Sequence, residues 1–215
     1  MEQARFNMIE QQIRPAEVLD TNVLNVIAEV PREFFVPDAY RALAFADANI
    51  PLPNGQQMMS PIQEARLLQA LDIQPTDDIL EIGTGSGYLT ALLAKLGKHV
   101  TSIEIDQELS NSAAQKLHQQ NITNVKLDVA DGAEGWPDKA PYDVIAVTGS
   151  LPMMNDSFKH QLKVGGRLFV ISGSQPAMSA QLIIRINETQ WSQEELFETV
   201  IPPLLNVKTP SAFVF

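Results

Sequence analysis

The chain has 215 residues, 45% of them hydrophobic, which is enough to bury the core of one α/β domain. Its formal net charge of −11 disfavours nonspecific binding to nucleic acid, because such binding requires clustered Lys and Arg. The sequence contains no cysteine, which excludes disulfides, thiol nucleophiles and zinc sites built on thiolates.

The first third of the sequence is predicted to be helical, with irregular connections. Apolar residues recur at helical spacing within residues 2–14, and Pro15 is expected to end that helix. A second helix is predicted at about 21–29, before Pro31. A third begins at Ser60, which has the position of an N-cap and of a capping-box residue.

From residue 78 onward the pattern alternates between strands and helices. Strands are predicted near 79–82, 99–103, 125–128, 142–148, 166–172, 181–186 and 196–202, with helices at about 87–96 and 107–120. This order predicts an α/β fold of the Rossmann-like type, with a doubly wound, mostly parallel sheet. Only residues 187–195 separate the last two strands, so we expect them to form an antiparallel hairpin at one edge.

A glycine-rich turn lies where the first of these strands meets its helix. The segment reads Glu81-Ile82-Gly83-Thr84-Gly85-Ser86-Gly87-Tyr88. Glycines at this turn allow a sharp bend and a close approach of a ligand to the backbone. The following helix presents free N–H groups to a carboxylate or phosphate.

The second strand ends in an acid, Glu104, placed 21 residues after Gly83. An acid at this position accepts hydrogen bonds from ribose hydroxyls in nucleotide-binding sheets. A dinucleotide fold requires a third glycine where this chain has Tyr88. The pattern here is G-x-G-x-G, which looks like motif I of class I methyltransferases, and this likeness favours S-adenosylmethionine over NAD as the cofactor.

Two further loops follow strand ends on the same side of the sheet. Asp131 and Gly132 follow the third strand, and Asp131 is placed either to accept from an adenine amino group or to form an Asx turn. Thr148 follows the fourth strand, where it either borders the crevice or packs within the fold. The three histidines have no spacing that indicates a metal site or a catalytic triad.

The chain resembles the protein-L-isoaspartate O-methyltransferase family over nearly its whole length. Residues 81–88 match the family's E-I-G-T-G-S-G-Y residue for residue. Other segments resemble V-P-R-x-x-F-V-P, P-L-x-x-G-Q, D-G-x-x-G-W and L-K-x-G-G-R-L, at residues 30–37, 51–56, 131–136 and 162–168. The resemblance implies S-adenosylmethionine as cofactor and isoaspartyl α-carboxylates in damaged proteins as methyl acceptors.

The resemblance also implies that different site residues bind the cofactor and the methyl acceptor. The cofactor-binding set is Glu81, Gly83, Thr84, Gly85, Ser86, Gly87, Glu104, Asp131 and Gly132. Within it the glycines approach the methionine end, Glu104 holds the ribose and Asp131 lies near the adenine. The acceptor is bordered by Gln57, Met59, Ser60 and Thr148.

The sequence departs from the family pattern at the acceptor. The family reads G-Q-T-I-S-x-P, with the serine hydroxyl directed toward the substrate. This chain has Gln57 for the threonine and Met59 for the serine, while Ser60 lies one position later. Ser60 supplies the missing hydroxyl if the loop shifts, or caps a helix if it does not.

Three functions therefore remain open: isoaspartyl methylation, methyl transfer to a different acceptor, and cofactor binding without catalysis. We expect residues 1–54 to form a helical segment packed over the cofactor crevice of a methyltransferase domain at 55–215, in one structural unit. The expected partner is a protein or peptide, with neither nucleic acid nor membrane involved. We expect the cytoplasm as location, because the sequence shows neither a signal-peptide core nor a membrane-spanning apolar run.

Overall fold

A computed structural model describes residues 1–209, which centre on a seven-stranded sheet with the order β5-β4-β3-β6-β7-β8-β9. Its strands are β3 (Asp78–Ile82), β4 (His99–Glu104), β5 (Val125–Val129), β6 (Tyr142–Leu151), β7 (Leu162–Ser174), β8 (Ala177–Arg185) and β9 (Trp191–Glu198). Strands β3 to β7 are parallel, whereas β8 and β9 are antiparallel to their neighbours. The predicted mostly parallel sheet with an antiparallel edge hairpin is confirmed. A separate antiparallel pair joins β1 (Ile50–Pro51) to β2 (Gln57–Met58).

Each helix predicted from the sequence is present, whereas two short helices, Arg32–Phe35 and Asp156–His160, were not predicted, and the first predicted helix changes pitch twice. The helices are α1 (Glu2–Met8), α2 (Thr21–Glu29), α3 (Arg32–Phe35), α4 (Pro61–Leu71), α5 (Tyr88–Leu96), α6 (Gln107–Gln119) and α7 (Asp156–His160). The first predicted helix is α-helical only to Met8, then continues as a π-helix over Ile9–Ile13 and a 3-10 turn over Arg14–Ala16. Pro15 lies in that last turn, where its missing N–H ends the regular pattern.

The sheet separates two hydrophobic clusters because successive side chains of a strand point to opposite faces. Ile79 of β3 packs with α2, α4 and α5 on one face. Leu80, the next residue, packs on the other face with Phe158 of α7. Both side chains are almost fully buried, so β3 is a central strand covered by helical layers on both sides.

The last strand begins earlier than its sequence predicts. We expected it at 196–202, but β9 covers Trp191–Glu198 and pairs with β8 from Arg185 onward. β9 is an exposed, acidic edge strand, so it lacks the apolar alternation that marks a buried strand. The apolar residues that follow it belong instead to a terminal segment, in which the N–H of Leu204 donates to the carbonyl of Ser150.

The N-terminal segment packs differently from our prediction. Its helices join α4 and α5 in the first hydrophobic cluster, so they cover a face of the sheet and not the crevice. Among the first 54 residues, only Leu52 and Asn54 line the crevice. Of the predicted second unit, residues 210–215 lie outside the described residues. Over residues 1–209, no helix is long and apolar enough to cross a membrane.

Candidate active site

A cavity of about 260 Å³ opens at the carboxyl ends of the parallel strands. It lies beside β3 and β6, where the strand order reverses direction, which is the position at which open α/β sheets bind ligands. Ten of the thirteen residues predicted for the site line this cavity: Gln57, Met59, Gly83, Thr84, Gly85, Ser86, Glu104, Asp131, Gly132 and Thr148. The fold therefore brings most of the predicted site together from five separate segments.

The glycine-rich loop forms one wall of the cavity with a backbone that glycine favours. Gly83 has φ +96° and Gly85 has φ +53°, both in the left-handed region. A Cβ added at Gly83 would lie 2.3 Å from Oγ1 of Thr148. The absence of side chains here leaves room for a ligand to reach the backbone, as the motif predicts.

Thr148 fixes this loop from the neighbouring strand. Its Oγ1 lies 2.9 Å from the carbonyl oxygen of Ile82 and 2.8 Å from that of Gly83. The hydroxyl proton is therefore committed to the loop backbone, although the residue lines the cavity. Of the two alternatives for Thr148, the structural one, packing within the fold, explains both hydrogen bonds.

Glu104 is at the end of β4 and faces the cavity with only 6% of its surface exposed. Its Oε2 accepts from the N–H of Gly85 at 2.8 Å, and its Oε1 accepts from the N–H of Asp106 at 3.0 Å. Each carboxylate oxygen has a second lone pair available for another donor. The carboxylate is thus held in a fixed orientation from which it can accept ribose hydroxyls.

Asp131 follows β5, the strand next to β4, and forms the Asx turn that was one alternative for it in the sequence. Its Oδ1 accepts from the N–H of Ala133 at 2.9 Å. Its Oδ2 accepts from the side-chain amide of Asn206 at 2.9 Å. A Cβ on Gly132 would come within 2.8 Å of Ile82, so the chain after Asp131 must lie close to β3.

Three predicted residues do not line the cavity: Ser60, Glu81 and Gly87. Gly87 lies at the N-cap of α5, where a Cβ would meet Ala113 at 3.0 Å. Ser60 caps α4 in a capping box, with its N–H donating to Oε1 of Gln63 at 2.8 Å. Ser60 therefore has the helix-cap role that was one of its two alternatives, and the structure does not show the loop shift that the other alternative required.

Glu81 is buried beneath the glycine-rich loop, away from the cavity surface. Its Oε2 accepts from Oγ1 of Thr90 at 2.6 Å and from Oγ of Ser102 at 2.5 Å. Ser102 in turn accepts from Thr84 at 2.6 Å, which links the network to the loop. Burial raises the pKa of Glu81 to about 8. The structure thus makes Glu81 a support for the loop and not a cofactor contact.

A buried ion pair at the other wall was not anticipated from the sequence. Arg32 of α3 donates to Oε2 of Glu64, and the two side chains are 1% and 3% exposed. Arg32 also donates from Nη2 to the carbonyl of Met59 at 2.7 Å and stacks over the Tyr88 ring at 4.8 Å. Glu64 lines the cavity beside the acceptor segment. Arg32 begins α3 and Glu64 lies in the first turn of α4, and neither position gives a local signal of such a pairing.

Two loops border the open side of the cavity, and each is attached to an acid by an asparagine. Asn54 donates to Oδ2 of Asp106, the N-cap residue of α6. Asn206 donates to Oδ2 of Asp131 from the terminal segment, where Leu204 lines the cavity. These contacts enclose the cavity between residues that are far apart in the chain.

The cavity walls combine apolar surface with carboxylates. The acidic residues that line it are Glu64, Glu104, Asp106 and Asp131, and no Lys, Arg or His lines it within residues 1–209. These groups fit a cationic nucleoside, because the carboxylates accept from hydroxyl and amino groups and the apolar walls pack against a base. The glycine cradle and the fixed Glu104 therefore fit S-adenosylmethionine, a sulfonium cation.

Comparisons with known proteins agree with this geometry. The family model described as "Protein-L-isoaspartate(D-aspartate) O-methyltransferase (PCMT)" matches residues 3–208. A protein-L-isoaspartate O-methyltransferase of Rhodopseudomonas palustris is 39% identical over 202 residues, covering 94% of this chain and 93% of that protein. One of Koribacter versatilis is 38% identical over 201 residues, covering 94% of this chain and 90% of that protein.

Solved structures show the same fold. A protein-L-isoaspartate O-methyltransferase structure matches with a TM-score of 0.79 at 22% identity, over 94% of this chain and 65% of that one. A putative Plasmodium falciparum member, solved with S-adenosyl-L-homocysteine, matches with a TM-score of 0.77 at 18% identity, over 94% and 97%. From the family match and the identity of its relatives, the chain belongs to the protein-L-isoaspartate(D-aspartate) O-methyltransferase family.

Proposed function

We propose that this protein transfers the methyl group of S-adenosylmethionine to the free α-carboxylate of isoaspartyl residues in damaged proteins or peptides. The observation that carries the proposal is family membership over residues 3–208 together with a cavity in which the family's cofactor motif is assembled. The relatives named protein-L-isoaspartate O-methyltransferase match nearly the whole chain.

The residues that line the cavity support one orientation of the cofactor. Glu104, fixed by two backbone N–H groups, accepts the ribose hydroxyls. Asp131 and the terminal segment lie at the adenine end, since Asp131 follows β5 at the outer side of the sheet. The glycine-rich loop then contacts the methionine end, near Met59 and Glu64.

The chemistry demands positioning more than acid–base catalysis. The bound sulfonium supplies a methyl group that is already activated, and an isoaspartyl carboxylate is ionised at neutral pH. The protein therefore has to align the attacking oxygen with the methyl carbon and to exclude water. Buried Met58 and Met59 and half-buried Leu204 provide apolar walls for that purpose.

A donor for the acceptor carboxylate remains despite the changed motif. Gln57 occupies the place of the family's threonine, is half-buried and lines the cavity. Its side-chain amide carries two N–H donors, enough to hold one carboxylate oxygen. We assign Gln57 the orienting role that a hydroxyl has in the family pattern.

A second candidate, methyl transfer to a different acceptor, is favoured by one observation. Met59 lines the cavity in the position of the family's serine, while the Ser60 hydroxyl belongs to the cap of α4. An apolar side chain at that point suits a less polar acceptor than a carboxylate.

The deciding experiment compares two peptides that differ only in an isoaspartyl or a normal aspartyl linkage. Purified protein is incubated with S-adenosylmethionine carrying a labelled methyl group, and labelled peptide is counted. Transfer to the isoaspartyl peptide alone supports the proposal. Label that appears only in a cell lysate would favour the second candidate, and no label despite intact cofactor binding would indicate a binding protein.

Two further predictions remain part of this proposal. Residues 1–54 and the domain that follows form one structural unit, which their shared hydrophobic cluster supports. The cytoplasm stays the predicted location, where an isoaspartyl protein or peptide would be the partner.

A further inference from the structure

Glu64 is a cavity residue to which the family pattern assigns no role. Its side chain is only 3% exposed, yet it contributes to the cavity wall. Oε2 accepts from Arg32. Oε1 accepts no hydrogen bond from residues 1–209 and is not among the atoms sealed away from solvent. One carboxylate oxygen therefore remains available at the cavity surface.

Arg32 does not serve a ligand in place of Glu64, because each of its three nitrogens already donates within the protein and its side chain does not line the cavity. Nε donates to the carbonyl of Ala44 at 2.9 Å, and Nη2 donates to the carbonyl of Met59 at 2.7 Å. Nη1 donates to Glu64, and the guanidinium plane lies over Tyr88. Arg32 is 1% exposed and does not line the cavity. It fixes the carboxylate, which alone faces the ligand.

The location of Glu64 corresponds to the methionine end of the cofactor. Tyr88, against which Arg32 stacks, directly follows the glycine-rich loop. The ribose and adenine acids, Glu104 and Asp131, follow β4 and β5 on the other side of β3.

We propose that Oε1 of Glu64 accepts the α-ammonium group of the methionine end of S-adenosylmethionine. The inference rests on the cofactor of the proposed function but not on its acceptor. Within residues 1–209, Glu64 is the carboxylate at this end of the cavity, and an ammonium group is the cationic donor that the cofactor offers there. The cofactor's carboxylate is then directed away from Glu64, toward the N–H groups of the glycine-rich loop.

The burial of the pair supports this role. A carboxylate that is almost wholly buried is poorly hydrated even where one oxygen reaches the cavity, and a bound cation offsets that cost. Burial raises the pKa of Glu64 to about 7 even beside Arg32. An ammonium group against the free oxygen favours the ionised form that binds it.

The test measures binding and needs no acceptor. Calorimetry compares S-adenosylhomocysteine with its deaminated analogue, in which hydrogen replaces the α-ammonium group, on the wild type and on Glu64→Gln. Glutamine preserves the shape and an oxygen for Arg32 but removes the charge. We expect Glu64→Gln to lower affinity for S-adenosylhomocysteine about tenfold or more, and affinity for the analogue less than about twofold.

The matched control is Glu104→Gln, which should lower the affinity for both ligands equally because both carry the ribose. Should Glu64→Gln not fold, the pair replacement Arg32→Met with Glu64→Met removes both buried charges and is judged by the same comparison. Equal losses for the two ligands, or undiminished affinity for S-adenosylhomocysteine, would overturn the inference. A protein that shows the expected selectivity but methylates no isoaspartyl peptide would refute the proposed function and leave this inference standing.

Discussion

The backbone N–H of Gly85 donates to Oε2 of Glu104 at 2.8 Å, which joins the glycine-rich loop to the end of the neighbouring strand. Gly85 and Glu104 are thus held together by a hydrogen bond before any ligand binds. The carboxylate is oriented by the loop, and the loop is held by the carboxylate.

Glu104→Ala should weaken binding of S-adenosylmethionine by about 1–3 kcal/mol, the range for loss of a charged hydrogen-bond partner. The loss has two sources, since the variant removes the ribose acceptor and also frees the N–H of Gly85. Calorimetric titration measures it. Glu108→Ala, an exposed residue in the first turn of α6, is the control and should bind normally. Unchanged affinity in folded Glu104→Ala would mean that another residue holds the ribose.

Gly83→Ala should reduce cofactor affinity about tenfold or more, because the new Cβ would meet Oγ1 of Thr148 at 2.3 Å. Adding Thr148→Ala removes this clash but leaves alanine at φ +96°. The double variant should therefore regain only part of the lost affinity. If the affinity losses of the two single variants simply added in the double variant, the side chain of Thr148 would not contact position 83 in solution.

Glu81→Gln should stabilise the protein more at high pH than at low pH. Burial raises the pKa of Glu81 in the folded protein to about 8 from its ordinary value of 4.5, so the native state binds the proton more tightly than the unfolded chain does. The free energy of unfolding of the wild type therefore falls as pH rises from about 4.5 to about 8. Glutamine cannot ionise, so the variant escapes this loss. The midpoint of its thermal unfolding, relative to that of the wild type, should therefore rise between about pH 5 and pH 9. An equal difference at both values would contradict a neutral buried Glu81; exposed Glu108→Gln is the control.

The double change Gln57→Thr with Met59→Ser should raise transfer to isoaspartyl peptides about tenfold or more. The change exchanges the amide donors of Gln57 for a hydroxyl and adds a hydroxyl where Met59 has no donor. It therefore gains one orienting hydrogen bond, worth about 1 kcal/mol, and improves the alignment of the carboxylate. Initial rates at saturating cofactor measure the gain. Ser60→Ala should lower stability through loss of the α4 cap without a specific loss of transfer. Abolished transfer in folded Ser60→Ala would show that Ser60 contacts the acceptor after all.

Local signals predicted the cofactor half of the site because its residues lie at strand ends. Gly83 and Glu104 each follow a buried strand, and parallel strands deliver their carboxyl ends to one edge. The sequence therefore specified their convergence without any long-range information. Residue identity also marked the loop, since glycine is favoured at its positive φ values.

The other half depends on contacts between distant segments, which carry no periodicity. Glu64 appears as one polar residue in a helix, and only the fold shows that Arg32 lies against it. Leu204 reaches the cavity because Ser150 accepts from its backbone N–H. Ser60 satisfied both a helix-cap and an acceptor interpretation, and the choice between them required the orientation of α4.

The position of the transferred methyl group tests most directly whether this protein esterifies an isoaspartyl carboxylate. Tandem mass spectrometry locates the methyl group on the product peptide, and brief treatment with alkali shows whether it is an ester. We predict a base-labile methyl group on the α-carboxylate of the isoaspartyl residue, and none on the matched aspartyl peptide. A base-stable methyl group, or an unmodified peptide from protein that binds S-adenosylhomocysteine normally, would contradict it.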